Sequence, residues 1–265
     1  MTTSFIQAAG HRLELEHIGI AGNARPTLVL LHEGLGSVGM WRDFPGRLAH
    51  ATNCNAVVYS RYGYGRSDAL TQARTVRYMH DEALLVLPQV LDALGIADPI
   101  LVGHSDGGSI ALVHAGAHVR PVQAVIAMAP HVMVEDISVQ SIAAAKVAFE
   151  TSDLPQRLAR YHADVDSAFW GWNRIWLDPA FRDWNIEEYL PRIRCPVLAI
   201  QGEDDEYGTL AQVEGIRRRA PHTEVVVLSG CGHSPHRDQP EALTRIVTDF
   251  IVRHSTAPNC QGETQ

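Results

Sequence analysis

The 265-residue sequence lacks the features of a nucleic-acid-binding, membrane-spanning or secreted protein. Basic residues are in the minority, with 22 lysines and arginines against 30 aspartates and glutamates, and their longest run is three arginines at 217–219. Nucleic-acid partners require a basic surface, so we expect none. No apolar run approaches the roughly 20 residues of a membrane span, and the N-terminus has neither the basic nor the apolar region of a secretory signal. The sequence therefore predicts a cytoplasmic protein that binds neither nucleic acid nor membrane.

Cysteine is also scarce, and the four cysteines lie far apart in the chain, at Cys54, Cys195, Cys231 and Cys260. Their spacing matches no metal-ligand motif, and free thiols are typical of a reducing compartment. Three histidines near the ends of predicted strands fit no local ligand motif either; they are His32, His104 and His131. We therefore expect no metal site.

Short apolar runs alternate with longer segments of helical periodicity along most of the chain. The runs carry little polar alternation, as expected for strands that are covered on both faces; they are 27–31, 56–60, 100–103, 124–129, 197–202 and 224–230. Helical patterns occupy 76–95, 106–119, 207–219 and 240–253. This alternation predicts an α/β fold with a doubly wound, mostly parallel sheet and helices on both faces. Segment 11–19 alternates residue by residue and suits an antiparallel edge strand.

Segment 131–190 interrupts this alternation, because it contains no convincing strand. It holds four of the five tryptophans, which are Trp170, Trp172, Trp176 and Trp184. We interpret it as a helical cap over the carboxyl ends of the strands, where open α/β sheets bind ligands. The core is then 1–130 and 191–259, followed by a tail at 260–265. Trp170, Trp172 and Trp176 are expected to line an apolar pocket for substrate, although large aromatics also form cores.

Residues Gly103 to Gly107, Gly-His-Ser-Asp-Gly, match the G-x-S-x-G pattern of a nucleophile elbow. A strand-like run precedes this stretch and a helical pattern follows it. In such a turn the serine projects its hydroxyl above the sheet, and small residues two before and two after it relieve steric clashes. The amide of Asp106 then lies at a helix N-terminus, where an oxyanion would be stabilised. Ser105 is therefore a candidate nucleophile.

A serine nucleophile requires a base and an acid, which in this architecture follow in the order serine, acid, histidine. The acidic stretch 203–205 comes directly after one predicted strand, and Asp205 is our candidate for the acid. His233 comes after the next strand and is our candidate for the base. Asp204 and Asp136 remain alternatives for the acid, and His236 for the base. We expect His104 to pack under the turn.

With these loops, the chain resembles the α/β-hydrolase superfamily over nearly its full length. The resemblance rests on "LLHEGLGS" (30–37), "SRYGYGRSD" (60–68), "GEDD" (202–205) and "GCGHSPHRDQPE" (230–241), in addition to the elbow. It implies a catalytic triad of Ser105, Asp205 and His233 and a helical cap at 131–190. An oxyanion hole would be formed by the amides of Gly34 and Asp106. Glu33 departs from the glycine that usually follows the loop histidine, either as a harmless variant or as a group that meets substrate.

The expected function is that of a cofactor-independent serine hydrolase. It would cleave a carboxylic ester-type bond of a small molecule, with an apolar or aromatic acyl group, through an acyl-enzyme on Ser105. Alternatives with the same triad are a thioesterase, a lactonase or a carbon–carbon bond hydrolase of an aromatic ring-cleavage product. A non-catalytic ligand-binding protein or receptor on the same fold is a different class.

Two acidic side chains raise a question of charge. If Glu33 and Asp106 both reach the cleft, they would oppose anionic substrates beside the developing oxyanion. Alternatively, both face solvent or are neutralised by an arginine such as Arg61 or Arg66.

Overall fold

The computed structural model describes residues 4–19 and 25–254, and its centre is an eight-stranded sheet. The strands are β1 (Ser4–Ala8), β2 (His11–Ile18), β3 (Thr27–Leu31), β4 (Asn55–Tyr59), β5 (Ile100–His104), β6 (Ala124–Met128), β7 (Val197–Gly202) and β8 (Glu224–Leu228). Their order in the sheet is β1-β2-β4-β3-β5-β6-β7-β8, and every neighbouring pair from β4 to β8 is parallel. The predicted tail at 260–265, with Cys260, lies outside the described residues.

The N-terminal edge of the sheet differs from the expectation. Strand β2 is antiparallel as predicted, but it lies between β1 and β4 and is not the edge. Strands β1 and β2 are joined by Ala9 and Gly10, whose φ angles of 51° and 79° are those of a two-residue hairpin turn. Alanine rarely adopts a positive φ, so no turn is predicted from the sequence at this point.

Helices cover both faces of the sheet, as predicted. They are α1 (Phe44–Thr52), α2 (Tyr78–Asp81), α3 (Leu87–Leu94), α4 (Asp106–Ala117), α5 (Asp136–Thr151), α6 (Leu154–Leu158), α7 (Val165–Leu177), α8 (Ala211–Arg219), α9 (Pro235–Asp238) and α10 (Pro240–His254). A π-helix, Glu82–Val86, connects α2 to α3, and short 3₁₀ helices occupy Val38–Trp41, Pro179–Phe181 and Leu190–Arg192. Helix α1 was not predicted. Among the described residues, no helix has both the length and the apolar character to cross a membrane.

Side-chain alternation along the central strands produces two separate cores. In β3, Leu28 and Leu30 belong to a core shared with residues of α1 and α10, whereas Val29 and Leu31 belong to a core shared with residues of α3, α4 and α8. Successive side chains of a strand point to opposite faces, so a fully apolar strand requires helices on both. The predicted fold class is confirmed.

Between β6 and β7, where every residue is described, the segment forms α5, α6 and α7, and the only β pairing within it is an isolated bridge between Met133 and Asn185. Helices α5 and α7 pack together, and the Asn173 side-chain amide donates to the Ile142 carbonyl over 2.9 Å. A loop after α6 contacts the core, since Gly65 N–H donates to His162 Nδ1 over 3.0 Å.

Candidate active site

Ser105 lies at the junction of β5 and α4 with φ 52° and ψ −117°. This backbone conformation is unfavourable for a residue with a side chain and has to be imposed by its surroundings. A Cβ on Gly103 would overlap the Gly107 carbonyl, and one on Gly107 would overlap the Leu31 carbonyl. The Ser105 amide donates to the Met128 carbonyl on the neighbouring strand over 2.9 Å. The two glycines therefore allow the close packing that holds the serine in this turn.

Asp205 and His233 form a hydrogen-bonded pair at the carboxyl ends of β7 and β8. His233 Nδ1 is 2.8 Å from Asp205 Oδ1 and 2.9 Å from Oδ2. The carboxylate also accepts from Gln201 Nε2 over 2.5 Å and from the amides of Tyr207 and Gly208 over 2.8 and 3.2 Å. Burial alone would raise the pKa of Asp205, but the hydrogen bond and charge of His233, together with the Tyr207 amide, hold that pKa below its usual value. An ionised Asp205 orients Nδ1–H of His233 and leaves Nε2 free to act as a base.

The alternative acids and base lie elsewhere. Asp136 is largely exposed and pairs with Arg182 at the surface, and Asp204 is exposed. His236 is buried, with its ring 4.9 Å from that of Trp41, and neither of its ring nitrogens has a hydrogen-bond partner among the described residues. The geometry therefore favours Asp205 and His233 over these alternatives.

Ser105 and His233 line one cavity of about 230 Å³. This volume is below the roughly 300–1,000 Å³ of pockets for drug-sized ligands. No hydrogen bond between Ser105 Oγ and the His233 ring is formed among the described contacts, and such bonds are often long before substrate binds. His104 is buried and also borders the cavity, with Nε2 2.7 Å from the His233 carbonyl.

Two of the three tryptophans proposed for substrate binding, Trp172 and Trp176, line this cavity. Trp170 does not line this cavity: its ring packs on Phe149 and Phe169, with centroid distances of 5.3 and 5.1 Å. Helix geometry explains the difference. Residues four apart share a helix face, whereas a residue two positions away lies about 200° round the axis.

The loop after β3 brings Gly34 to the cavity wall beside Trp172. A Cβ on Gly34 would overlap the Trp172 indole, so this packing requires glycine. Asp106 is the first residue of α4, and the first amides of a helix have no acceptor within it. Both residues that carry the predicted oxyanion donors therefore border the cavity that contains Ser105.

Neither acidic side chain presents a free charge to the cavity. Asp106 Oδ2 accepts from the Tyr78 hydroxyl over 2.7 Å and lies 3.5 Å from Arg61 Nη2. Glu33 lies 3.4 Å from His104 Nδ1 and 3.4 Å from Arg237 Nη2. Burial alone would raise the pKa of Glu33, but His104 and Arg237 hold it well below its usual value. Of the two alternatives, the structure therefore favours neutralisation of these carboxylates by arginines. Arg61 lies beside Asp106 as suggested, and Arg237, which was not predicted from the sequence, lies beside Glu33.

Sequence reasoning missed several cavity residues, and two of them, His131 and Tyr207, have rings beside that of His233. The Tyr207 ring is 4.8 Å from that of His233, and the His131 ring is 5.8 Å from it. Burial and the neighbouring His233 lower the pKa of His131 to about 3, so His131 is neutral near pH 7. Both residues follow strands at their carboxyl ends, which was the available signal.

A strained serine between strand and helix and a carboxylate–histidine pair at the ends of two later strands are features of α/β-fold hydrolases. A family model described as "Alpha/beta hydrolase family" matches residues 28–246. The chain belongs to this family of hydrolases.

Individual relatives are distant. The chain is 27% identical to a putative carbamate hydrolase RutD of Caulobacter sp. (strain K31), over 84% of this chain and 90% of that protein. It is 24% identical to a 2-hydroxy-6-oxo-6-phenylhexa-2,4-dienoate hydrolase of Burkholderia cepacia, over 89% and 91%. Among solved structures, an enol-lactonase from Burkholderia xenovorans LB400 superposes with a TM-score of 0.75 at 20% identity, covering 94% of this chain and all of that one. At this identity, the structural likeness supports the fold alone.

Proposed function

We propose that the protein is a cofactor-independent serine hydrolase that cleaves a carboxylic ester-type bond of a small molecule. The observation that carries this proposal is that His233, hydrogen-bonded to Asp205, lines the same cavity as a serine at φ 52°. This arrangement supplies a nucleophile, a base and an orienting acid.

In the proposed mechanism, His233 Nε2 removes the proton of Ser105 Oγ as that oxygen attacks the substrate carbonyl. The amides of Gly34 and Asp106 donate to the oxyanion of the tetrahedral intermediate. Protonated His233 gives its proton to the leaving alcohol, and an acyl-enzyme remains on Ser105. A water molecule activated by His233 then attacks the acyl carbonyl, and the acid and free serine are regenerated. Asp205 stabilises the imidazolium at each stage.

We propose further that 131–190 acts as a cap over this site. Trp172 and Trp176 of α7 contribute to the cavity wall, together with Ile142 of α5. Their apolar surfaces and the small volume favour a compact apolar or aromatic acyl group.

The distribution of charge supports an ester over an anionic dienoate as the substrate. The relative from Burkholderia cepacia is named for a substrate that carries a carboxylate. In this chain the cation at the cavity, Arg237, already pairs with Glu33, and Glu206 adds a further carboxylate to the wall. Binding a carboxylate would require Arg237 to exchange its partner. The same nucleophile can attack the carbonyl carbon of lactones, thioesters and carbamates.

The decisive experiment is labelling and turnover with purified protein. A fluorophosphonate probe is expected to label Ser105 and no other residue, and aryl esters with short acyl chains are expected to be hydrolysed. The folded Ser105→Ala variant is expected to lose both labelling and about 10⁴-fold or more in rate. A panel of matched esters, lactones, acyl-CoAs, carbamates and dienoates identifies the bond. An unlabelled wild-type protein that binds these compounds without turnover would instead be a ligand-binding protein.

A further inference from the structure

Arg61 is a buried cation behind the loop that carries Gly34. It follows β4, and its side chain is 1% exposed. Burial alone would lower the pKa of Arg61, but neighbouring Tyr64 and Asp106 raise it overall, so the guanidinium stays charged. The proposed mechanism assigns no role to this charge. Burying a cation is costly unless it is paired and hydrogen-bonded, so the partners of Arg61 indicate what its charge does.

Its shortest contact is with the peptide bond between Glu33 and Gly34. Arg61 Nη2 donates to the Glu33 carbonyl over 2.8 Å, and to the His32 carbonyl over 3.3 Å. The Glu33 carbonyl and the Gly34 N–H belong to one planar trans peptide, so they point in opposite directions. Fixing the carbonyl on the inner side therefore fixes the direction of the Gly34 N–H on the other side.

The His32 side chain also hydrogen-bonds to the Glu33 carbonyl. The Arg61 backbone N–H donates to His32 Nε2 over 3.0 Å, so that nitrogen is the acceptor and the proton resides on Nδ1. His32 Nδ1 then donates to the Glu33 carbonyl over 2.7 Å. Two donors, one of them charged, polarise this peptide and strengthen its N–H as a donor.

The same guanidinium reaches the other side of the proposed oxyanion hole. Arg61 Nη2 lies 3.5 Å from Asp106 Oδ2, and the Asp106 amide is the second donor. The Tyr78 hydroxyl donates to the same carboxylate oxygen over 2.7 Å. One buried side chain thus connects the two loops whose amides face the oxyanion.

We propose that Arg61 is a positioning residue that fixes the Gly34 and Asp106 amides in the geometry of the oxyanion hole. This inference rests on the proposed serine-hydrolase function. Arg61 touches neither substrate nor the reacting atoms. It acts through the Glu33–Gly34 peptide and the Asp106 side chain, which would otherwise have to be ordered when the oxyanion forms.

The test compares two variants, because Arg61→Met alone would leave the buried Asp106 carboxylate without its cation. Asp106→Asn removes that charge and keeps the backbone amide, so it is the reference for Arg61→Met/Asp106→Asn. Removal of a whole oxyanion donor costs about 10²–10³-fold in kcat. For a donor that is misdirected we expect a fall of about 10- to 100-fold relative to the reference, with KM within about twofold.

A transition-state analogue separates positioning from a general structural role. Affinity for an alkyl boronic acid, which adds to Ser105 as a tetrahedral anion, is expected to fall by the same factor as kcat/KM. Binding of an uncleavable ester analogue is expected to stay within about twofold. A folded double variant with kcat and boronate affinity within threefold of the reference would overturn the inference. If Ser105 of the wild-type protein does not react at all, the proposed function fails instead.

A wild-type crystal structure with the boronate serves if the double variant does not fold. The inference expects the boronate oxygen within hydrogen-bond distance of the Gly34 and Asp106 amides while Arg61 still donates to the Glu33 carbonyl. A boronate oxygen bound to other donors, or a Glu33 carbonyl turned away from Arg61, contradicts it.

Discussion

Two regions of the molecule form the candidate site in different ways: the turn around Ser105 and the helical segment between β6 and β7. In the turn, backbone packing decides which residues are allowed, because a Cβ at Gly103 or Gly107 would meet main-chain atoms. In the helical segment, packing is between side chains. For example, the Phe149 and Phe169 rings stack with their centroids 3.8 Å apart.

This difference determines how each region tolerates change. Main-chain atoms of a central sheet cannot move without disturbing several strands, whereas side chains can repack at a modest cost. We therefore expect substitutions near the turn to abolish activity or folding. Substitutions in the helical segment are expected to change substrate preference and the attachment of the segment to the core.

The largest expected effect concerns Asp205, the proposed acid, which follows β7 of the central sheet. Asp205→Asn is expected to lower kcat by about 10³–10⁴-fold, because an asparagine amide donates to His233 and imposes the wrong tautomer. Asp204→Asn is the matched control, since Asp204 is exposed and adjacent in sequence, and its rate is expected to stay within twofold. Steady-state kinetics on an aryl ester measures both. If Asp204→Asn is the damaging change, Asp205 is not the acid.

The next effect concerns stability of the turn. Gly107→Ala is expected to destabilise the protein by about 3 kcal/mol, because its Cβ would overlap the Leu31 carbonyl. Gly46→Ala in α1 is the control, since nothing lies within 4 Å of a Cβ there. It is expected to stabilise the helix by roughly 0.5–1 kcal/mol. Urea unfolding measures both. Equal stabilities would mean that the turn is not held by main-chain packing.

The same difference explains what could be predicted from sequence. The elbow and the Asp205–His233 pair follow from local spacing at strand ends, and most strands lie within one or two residues of the expected ranges. Helix α1 was missed because Pro45 and Gly46 obscure its periodicity, although proline is accepted in a first turn.

Other features depend on contacts between residues far apart in the chain. Arg61 meets Asp106 across 45 positions, and no periodicity encodes that pair. The position of Trp170 outside the cavity wall could not be predicted for a similar reason. Four tryptophans indicate an aromatic segment, but for the three in α7 the exact phase of the helix decides which of them face the cavity.

The third prediction tests which face of α7 borders the cavity. Trp172→Ala is expected to raise KM for an aromatic acyl ester by about tenfold, because it removes apolar surface from the cavity wall. Trp170→Ala is the control on the opposite face of α7, where the side chain packs on Phe149, and its KM is expected to change by less than twofold. Activity on an acetyl ester, which reaches less of the wall, should distinguish the two variants less. A larger KM effect from Trp170→Ala would assign the substrate to the other face.

The smallest expected effect concerns His162, where the helical segment joins the core. Its Nδ1 accepts from the Gly65 N–H and its Nε2 lies 3.0 Å from the Leu35 carbonyl, to which it donates. A second bond, from the Ala163 N–H to the Gly65 carbonyl over 2.8 Å, reinforces this junction. Protonation at Nδ1 would oppose the Gly65 N–H, so only the neutral imidazole satisfies both contacts.

Burial lowers the pKa of His162 in the folded protein below its value in the unfolded chain. The unfolded chain therefore binds the proton first, and the contribution of this residue is fully present above about pH 6.5 and is lost as pH falls. The loss cannot exceed about 1.4 kcal/mol per pH unit for one proton. Hydrogen exchange between pH 7.5 and 5.5 measures this loss of stability in segment 163–177, with α1 as the internal reference. His162→Gln, whose amide can accept and donate in the same way, is expected to reduce the pH dependence of exchange at 163–177, whereas the exposed His50→Gln leaves it unchanged. If His162→Gln and the wild type respond equally to pH, protonation of His162 does not control how the helical segment is attached.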